Sequence, residues 1–90
     1  HNDAKFLFAE MLNNGIGIQV NKNLALFYYK QTADNGNIKA MVQYAQMQEF
    51  GDGTTVNINE AIKYYKMAAD NGDMNALSKY NKLNSWCSIQ

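Results

Sequence analysis

The chain repeats itself at a period of 36, and few folds can satisfy that. Residues 1–36 and 37–72 align without a gap, and residues 73–90 begin a third copy. Identities include Ala9/Ala45, Met11/Met47, Gly15/Gly51, Gly17/Gly53, Asn21/Asn57, Ala25/Ala61, Tyr28/Tyr64, Tyr29/Tyr65 and Gly36/Gly72. A period in this range marks a stacked array, in which each unit is one supersecondary element that cannot bury its apolar face alone.

The second unit shows what that element is. Ala40, Met41, Tyr44, Ala45, Met47 and Gln48 fall on one face at helical spacing, and Gly51 stands where a residue able to take positive φ would end the helix. Gly51 to Thr55 is a loop by composition. Asn57 then offers an N-cap, and Glu60 three residues on completes a capping-box spacing. Ala61, Ile62, Tyr65, Ala68 and Ala69 form the next stripe, and Asn71-Gly72 ends it. The fold class that follows is all-α, a solenoid of antiparallel helix pairs. Five helices are expected near residues 3–14, 22–35, 39–50, 58–71 and 74–87. The units are 1–36, 37–72 and a terminal half repeat over 73–90. Gly36 and Gly72 are expected at positive φ. Alanines 4, 40 and 76 are expected where helix axes approach closely, and Tyr29 and Tyr65 are expected to lie deeper than Tyr28 and Tyr64.

Composition narrows the function classes. Apolar residues at 47% exclude disorder. Lys plus Arg number 8, against 8 Asp plus Glu, and every basic residue is a lysine. A nucleic-acid reader needs a basic stripe and the bidentate fork of arginine, so no nucleic-acid partner is expected. No apolar run is long enough to span a membrane, so no membrane insertion is expected. One cysteine, Cys87, forms no internal disulfide; with no visible signal segment, this points to the cytoplasm. The start at His1 and the half-finished third repeat point to a segment of a longer array, or a subunit of a larger assembly.

No catalytic set emerges. The sole histidine is His1, which leaves no histidine-based triad or metal site. Asp52 to Asn57 puts Val56 at the fifth position of a calcium loop and no glycine at the sixth, and the Gly15-Ile16-Gly17 and Gly51-Asp52-Gly53 pairs follow helices rather than strands. The expectation is therefore a non-enzyme with no cofactor and no metal.

The pattern of spaced alanines, G-x-G, Asn at the second helix start and A-x₂-YY-x₃-A-D-N-G resembles the Sel1-like repeat (SLR), a tetratricopeptide-like α/α-solenoid unit. The matching positions include Ala40, Ala45, Gly51, Gly53, Asn57, Ala61, Tyr64, Tyr65, Ala69 and Gly72. Family members with a cysteine pair in each unit have been associated with β-lactam binding; this chain lacks those pairs. The resemblance implies that first helices line a concave side. A second stripe on those helices carries Phe6 and Glu10 in unit one, Val42, Gln46, Glu49 and Phe50 in unit two, and Lys82 and Trp86 in the third. Aromatic and aliphatic groups among amides and single charges suit a groove that holds another protein or a peptide. The favoured function is thus an adaptor or scaffold. The alternative is a structural element packed into an assembly with no separate ligand, in which Phe50 and Trp86 pack under a loop or close the array's end. No residue set argues for a third, small-molecule-binding or hydrolytic, reading.

Overall fold

A computed structural model describes residues 2–89, with side chains for residues 2–85. Five helices follow one another: α1 (Asn2–Asn14), α2 (Lys22–Asp34), α3 (Ile38–Phe50), α4 (Ile58–Asp70) and α5 (Met74–Ile89), and there is no strand among the described residues. The expected boundaries hold to within two residues. Each helix packs on the next in the chain, α1 with α2 and α3 with α4 inside a unit, α2 with α3 and α4 with α5 between units. No helix among the described residues is long and apolar enough to cross a membrane.

Asparagine and glycine punctuate the array. Asn21 and Asn57 accept from the backbone N–H groups of Leu24 and Glu60 at 3.1 and 3.0 Å. Asn37 and Asp73 do the same for Ala40 and Ala76, both at 2.9 Å. Each such cap is worth about 1 kcal/mol. The reciprocal arm of the capping box is not made. Glu60 instead accepts from the Tyr44 hydroxyl at 2.9 Å, while the Asn57 N–H donates to the Gln48 carbonyl at 2.8 Å. The equivalent bond in unit one runs from the Asn21 N–H to the Leu12 carbonyl at 2.9 Å, so each loop closes back on its own first helix. Gly36 and Gly72 have φ of 101° and 100°, which is what lets the chain turn from α2 into α3, and from α4 into α5, within three residues.

The core alternates small and large. Ala9, Ala25, Ala40, Ala45, Ala61 and Ala68 are fully buried, and Tyr29, Tyr64, Tyr65 and Thr32 are the largest side chains wholly inside. Alanine lets helix axes approach, and a tyrosine ring fills the space beside the contact. Ala40 and Ala76 sit at such approaches, but Ala4 is exposed, because no described helix lies against that side of α1. Tyr29 is deeper than Tyr28, as the helix phase requires. In unit two the order holds but the difference nearly vanishes, with Tyr65 at 0% and Tyr64 at 2% exposed. Asp34, at the end of α2, accepts from the Tyr64 hydroxyl at 2.7 Å, so the preceding unit covers it.

The loops also touch between units. A Cβ on Gly53, whose φ is +82°, would lie 2.7 Å from Cβ of Lys22, whereas a Cβ on Gly17 would meet nothing within 4 Å. Gly53→Ala should therefore lower the urea midpoint more than Gly17→Ala. Gly17→Ala should cost about 1 kcal/mol from the positive φ alone, and Gly53→Ala that amount plus the displacement of the loop from α2. Equal losses in the two variants would show that the contact between loop and helix does not matter.

Candidate interaction groove

The first helices α1, α3 and α5 share one face, and two hollows lie along it. Between α3 and α5 a hollow of ≈ 370 Å³ is lined by Val42, Gln46, Tyr65, Asn75, Ala76, Ser78, Lys79 and Lys82. Between α1 and α3 a second hollow of ≈ 240 Å³ is lined by Phe6, Glu10, Lys39, Val42, Gln43 and Asp73. Val42 borders both, so the two form neighbouring parts of one groove centred on an aliphatic side chain. Helical phase puts these residues together: Lys39, Val42 and Gln46 follow one another at i, i+3 and i+7 on α3, and Asn75, Ser78 and Lys82 do so on α5.

Of the residues singled out in the sequence, Phe6, Glu10, Val42, Gln46 and Lys82 line the groove. Phe6 is half-buried, its ring 5.9 Å from that of Tyr29. Glu49 and Phe50 sit elsewhere. Glu49 turns inward, accepting from the Tyr65 hydroxyl at 2.7 Å with Lys79 Nζ at 3.8 Å. Phe50 is 66% exposed at the end of α3, with Lys79 Nζ 5.5 Å from its ring centre, so it does not pack under the loop that follows. Trp86 belongs to α5, but its side chain, like that of Cys87 and the whole of His1, lies outside the described residues. Sequence reading missed Lys79, Gln43 and Asp73, and it took Tyr65 and Ala76, which also border the hollow, for core positions alone. Lys79 was findable, since it lies four residues after Asn75; Asp73 was hidden in its role as the cap of α5.

The groove floor is held by two tyrosines. Tyr29 donates to Glu10, and Tyr65 donates to Glu49. These tyrosines are equivalent by the repeat, but their acceptors are not. Unit one has Glu10 and Asn13 on α1; unit two has Gln46 and Glu49 on α3. Each first helix thus presents one carboxylate and one amide a turn apart, in opposite order, and each buried hydroxyl finds its acid. In unit one the acid is spent at the groove's edge. In unit two the acid drops below it and leaves amide and lysine donors to face the hollow.

Among the described residues no three His, Cys, Asp or Glu side chains gather as a metal ion would need. The perturbed groups are the tyrosines. Burial pushes Tyr29, Tyr44, Tyr64 and Tyr65 well above the ordinary value of 10.0, and the carboxylates that accept from them add to the shift. A folded-state value raised above the unfolded one is a contribution fully present below about pH 10 and lost as pH rises beyond it. Stability should be flat through neutral pH, as far as these groups decide it, and fall steeply above about pH 10. Chemical denaturation across pH 8–12 checks this, and Tyr64→Phe should flatten the alkaline slope. An unchanged slope in that variant would mean that Tyr64 ionises as freely folded as unfolded.

The comparisons agree with this geometry. The sequence model of the Sel1 repeat matches residues 3–37 and again 38–73. A Sel1 repeat protein from Oxalobacter formigenes superposes with a TM-score of 0.87 at 29% identity, over 92% of this chain and 34% of that one. A protective antigen present in uropathogenic Escherichia coli strains, which displays an SLR fold, gives 0.80 at 25% identity, over 83% of this chain and 16% of that one. Cysteine-rich protein B of Helicobacter pylori shares the fold with a TM-score of 0.81 at 18% identity, over 86% of this chain and 58% of that one. The chain thus spans from about a sixth to under two thirds of these proteins. No curated protein matches its sequence. With two units matched in succession along most of its length, the chain belongs to the Sel1 repeat family.

Proposed function

We propose that the groove along α1, α3 and α5 binds an extended peptide segment of another protein, so that the chain acts as an adaptor without catalysis. Sel1 repeat proteins are in general helical scaffolds for protein interaction. The single observation that carries the reading here is Val42, an aliphatic residue shared by two adjoining hollows and surrounded by polar groups. A face meant only for water would not place Phe6 and Val42 in line. Burying one such anchor contributes about 1.5–3 kcal/mol, and the polar rim fixes the direction and register of the bound segment.

The two halves of the groove would select different side chains. The half between α3 and α5 offers donors from Gln46, Asn75, Ser78, Lys79 and Lys82, which suits a carboxylate on the partner. The half between α1 and α3 mixes Glu10 and Asp73 with Lys39 around Phe6, which suits an apolar residue with a polar neighbour. Phe50, exposed beside Lys79, supports a further contact beyond the basic end.

Photo-crosslinking checks the reading. A benzophenone amino acid at Gln46 should capture a protein in the native cell, and the same group at the exposed Lys66 on α4 should not. Val42→Glu should abolish that capture while leaving the helical circular dichroism unchanged, because Val42 is only partly buried. Phe50→Ala should weaken capture by on the order of tenfold. Equal capture from Gln46 and Lys66, or capture indifferent to Val42→Glu, would favour a structural element embedded in an assembly.

A further inference from the structure

A third hollow continues the groove beyond the two already described. It has a volume of ≈ 550 Å³, lies between the starts of α1 and α3, and has Phe6, Leu7 and Ile38 in its walls. It shares Phe6 and Lys39 with the hollow centred between α1 and α3, which in turn shares Val42 with the one between α3 and α5. Three adjoining hollows therefore cross the first helices in order, and Leu7, 60% exposed, stands open at one end.

The period of 36 sets three rows of equivalent residues along that path, and they change in step. Phe6, Val42 and Ser78 hold one position in successive units; Leu7, Gln43 and Lys79 hold the next; Glu10, Gln46 and Lys82 hold the third. Each row runs from apolar or acidic on α1, through aliphatic or amide on α3, to polar or basic on α5, and every member lines one of the hollows. Positions that serve packing behave otherwise: Ala9 and Ala45, or Tyr29 and Tyr65, are identical from unit to unit. A fourth row, Asp3, Lys39 and Asn75, does not follow the trend, but Lys39 shares the middle hollow with Glu10 and Asp73, which offset its charge. The lysines of α5 have little to offset theirs. Lys82 makes no ion pair among the described residues, and Lys79 Nζ lies 3.8 Å from a Glu49 carboxylate that already accepts from Tyr65.

We propose, resting on the reading of this groove as a peptide site, that its occupant is an extended segment with an apolar side chain and, about six residues away, an aspartate or glutamate. The apolar side chain sits among Phe6, Leu7 and Ile38, and the carboxylate sits between Lys79 and Lys82, where its hydrogen bonds are charge-assisted. The spacing follows from the array. At roughly 10 Å from one first helix to the next, α1 and α5 are about 20 Å apart, which extended chain covers in about six residues at ~3.3 Å each. Val42, midway, takes the apolar stems of the residues between. The gradient rejects as well as attracts. A segment in the opposite order would set its carboxylate against Glu10, which Tyr29 holds in place, and its apolar group among the lysines.

Selection of displayed random peptides on the ninety-residue chain tests this. Constant sequence flanks each peptide, so that only a side chain can supply the carboxylate. Enriched peptides should share an apolar residue and an acid about six positions apart, in one order along the groove. Binding of such a peptide should weaken by on the order of tenfold in Lys79→Gln/Lys82→Glu and several-fold in Leu7→Lys. Selection repeated on Lys79→Gln/Lys82→Glu should lose the acid and keep the apolar residue, and selection on Leu7→Lys should do the reverse. These side chains are exposed or half-exposed, so the helical circular dichroism should stay native in both variants. Peptides that need Val42 but carry no such pair, or whose acid survives selection on Lys79→Gln/Lys82→Glu, would overturn the pairing and leave the groove in place. Peptides indifferent to Val42→Glu, or no enrichment at all, would overturn both.

Discussion

A buried tyrosine hydroxyl that must find a carboxylate on a neighbouring helix is the constraint on which this array depends. Tyr29 and Tyr65 are fully buried in the centre of their units, so each ring fixes how closely the two helices approach and each hydroxyl fixes their register. Leaving either hydroxyl unpaired would cost about 1–3 kcal/mol, a large share of what a domain of this size has. The same device recurs between units, where Tyr64 reaches Asp34, and across the second unit, where Tyr44 reaches Glu60. Apolar burial supplies most of the driving force, but it has no direction. The tyrosine–carboxylate bonds, with the alanines that admit the rings, are what make one stacking geometry better than its neighbours.

That constraint also shapes the groove. Because Glu49 turns down to Tyr65, the upper face of α3 is left with Val42 and Gln46, and among the described residues the lysines of α5 meet no acid across the hollow except the partly buried Glu49 itself. In unit one the acid is Glu10, which lines the groove while it holds Tyr29, so that half is mixed in charge. The polarity of a binding surface is thus set by which of two positions a turn apart holds the structural acid. A partner would read the difference along one continuous face.

The helices and their ends were legible in the sequence because they follow from local chemistry repeated in phase: Asn21 and Asn57 as caps, Gly36 and Gly72 as left-handed stops, alanine and tyrosine at helical spacing. What eluded the sequence depends on neighbours. Glu60 has the spacing of a capping box, yet a tyrosine on another helix competes for its carboxylate and wins. Tyr64 has the phase of a flanking residue, yet the preceding unit buries it, while its counterpart Tyr28 stays half-open. Ala4 reads like Ala40 and is exposed for the same reason. Of the groove, helical phase alone places Phe6, Val42, Gln46 and Lys82 on one face. It did not distinguish Glu49 from them, because a side chain at a face's edge can turn either way and the tyrosine below decides.

Moving the acid between its two positions tests the tyrosine–carboxylate constraint most directly. Glu49→Asn should destabilise the chain by about 1–2 kcal/mol, measured by urea denaturation at neutral pH, since the buried Tyr65 hydroxyl would lose its charged acceptor. Adding Gln46→Glu to that variant recreates unit one's arrangement of Glu10 and Asn13 in unit two, and should restore most of the lost stability. If Glu49→Asn has no effect, or if the double variant is no more stable than the single one, the tyrosine hydroxyls do not set the register of these helices.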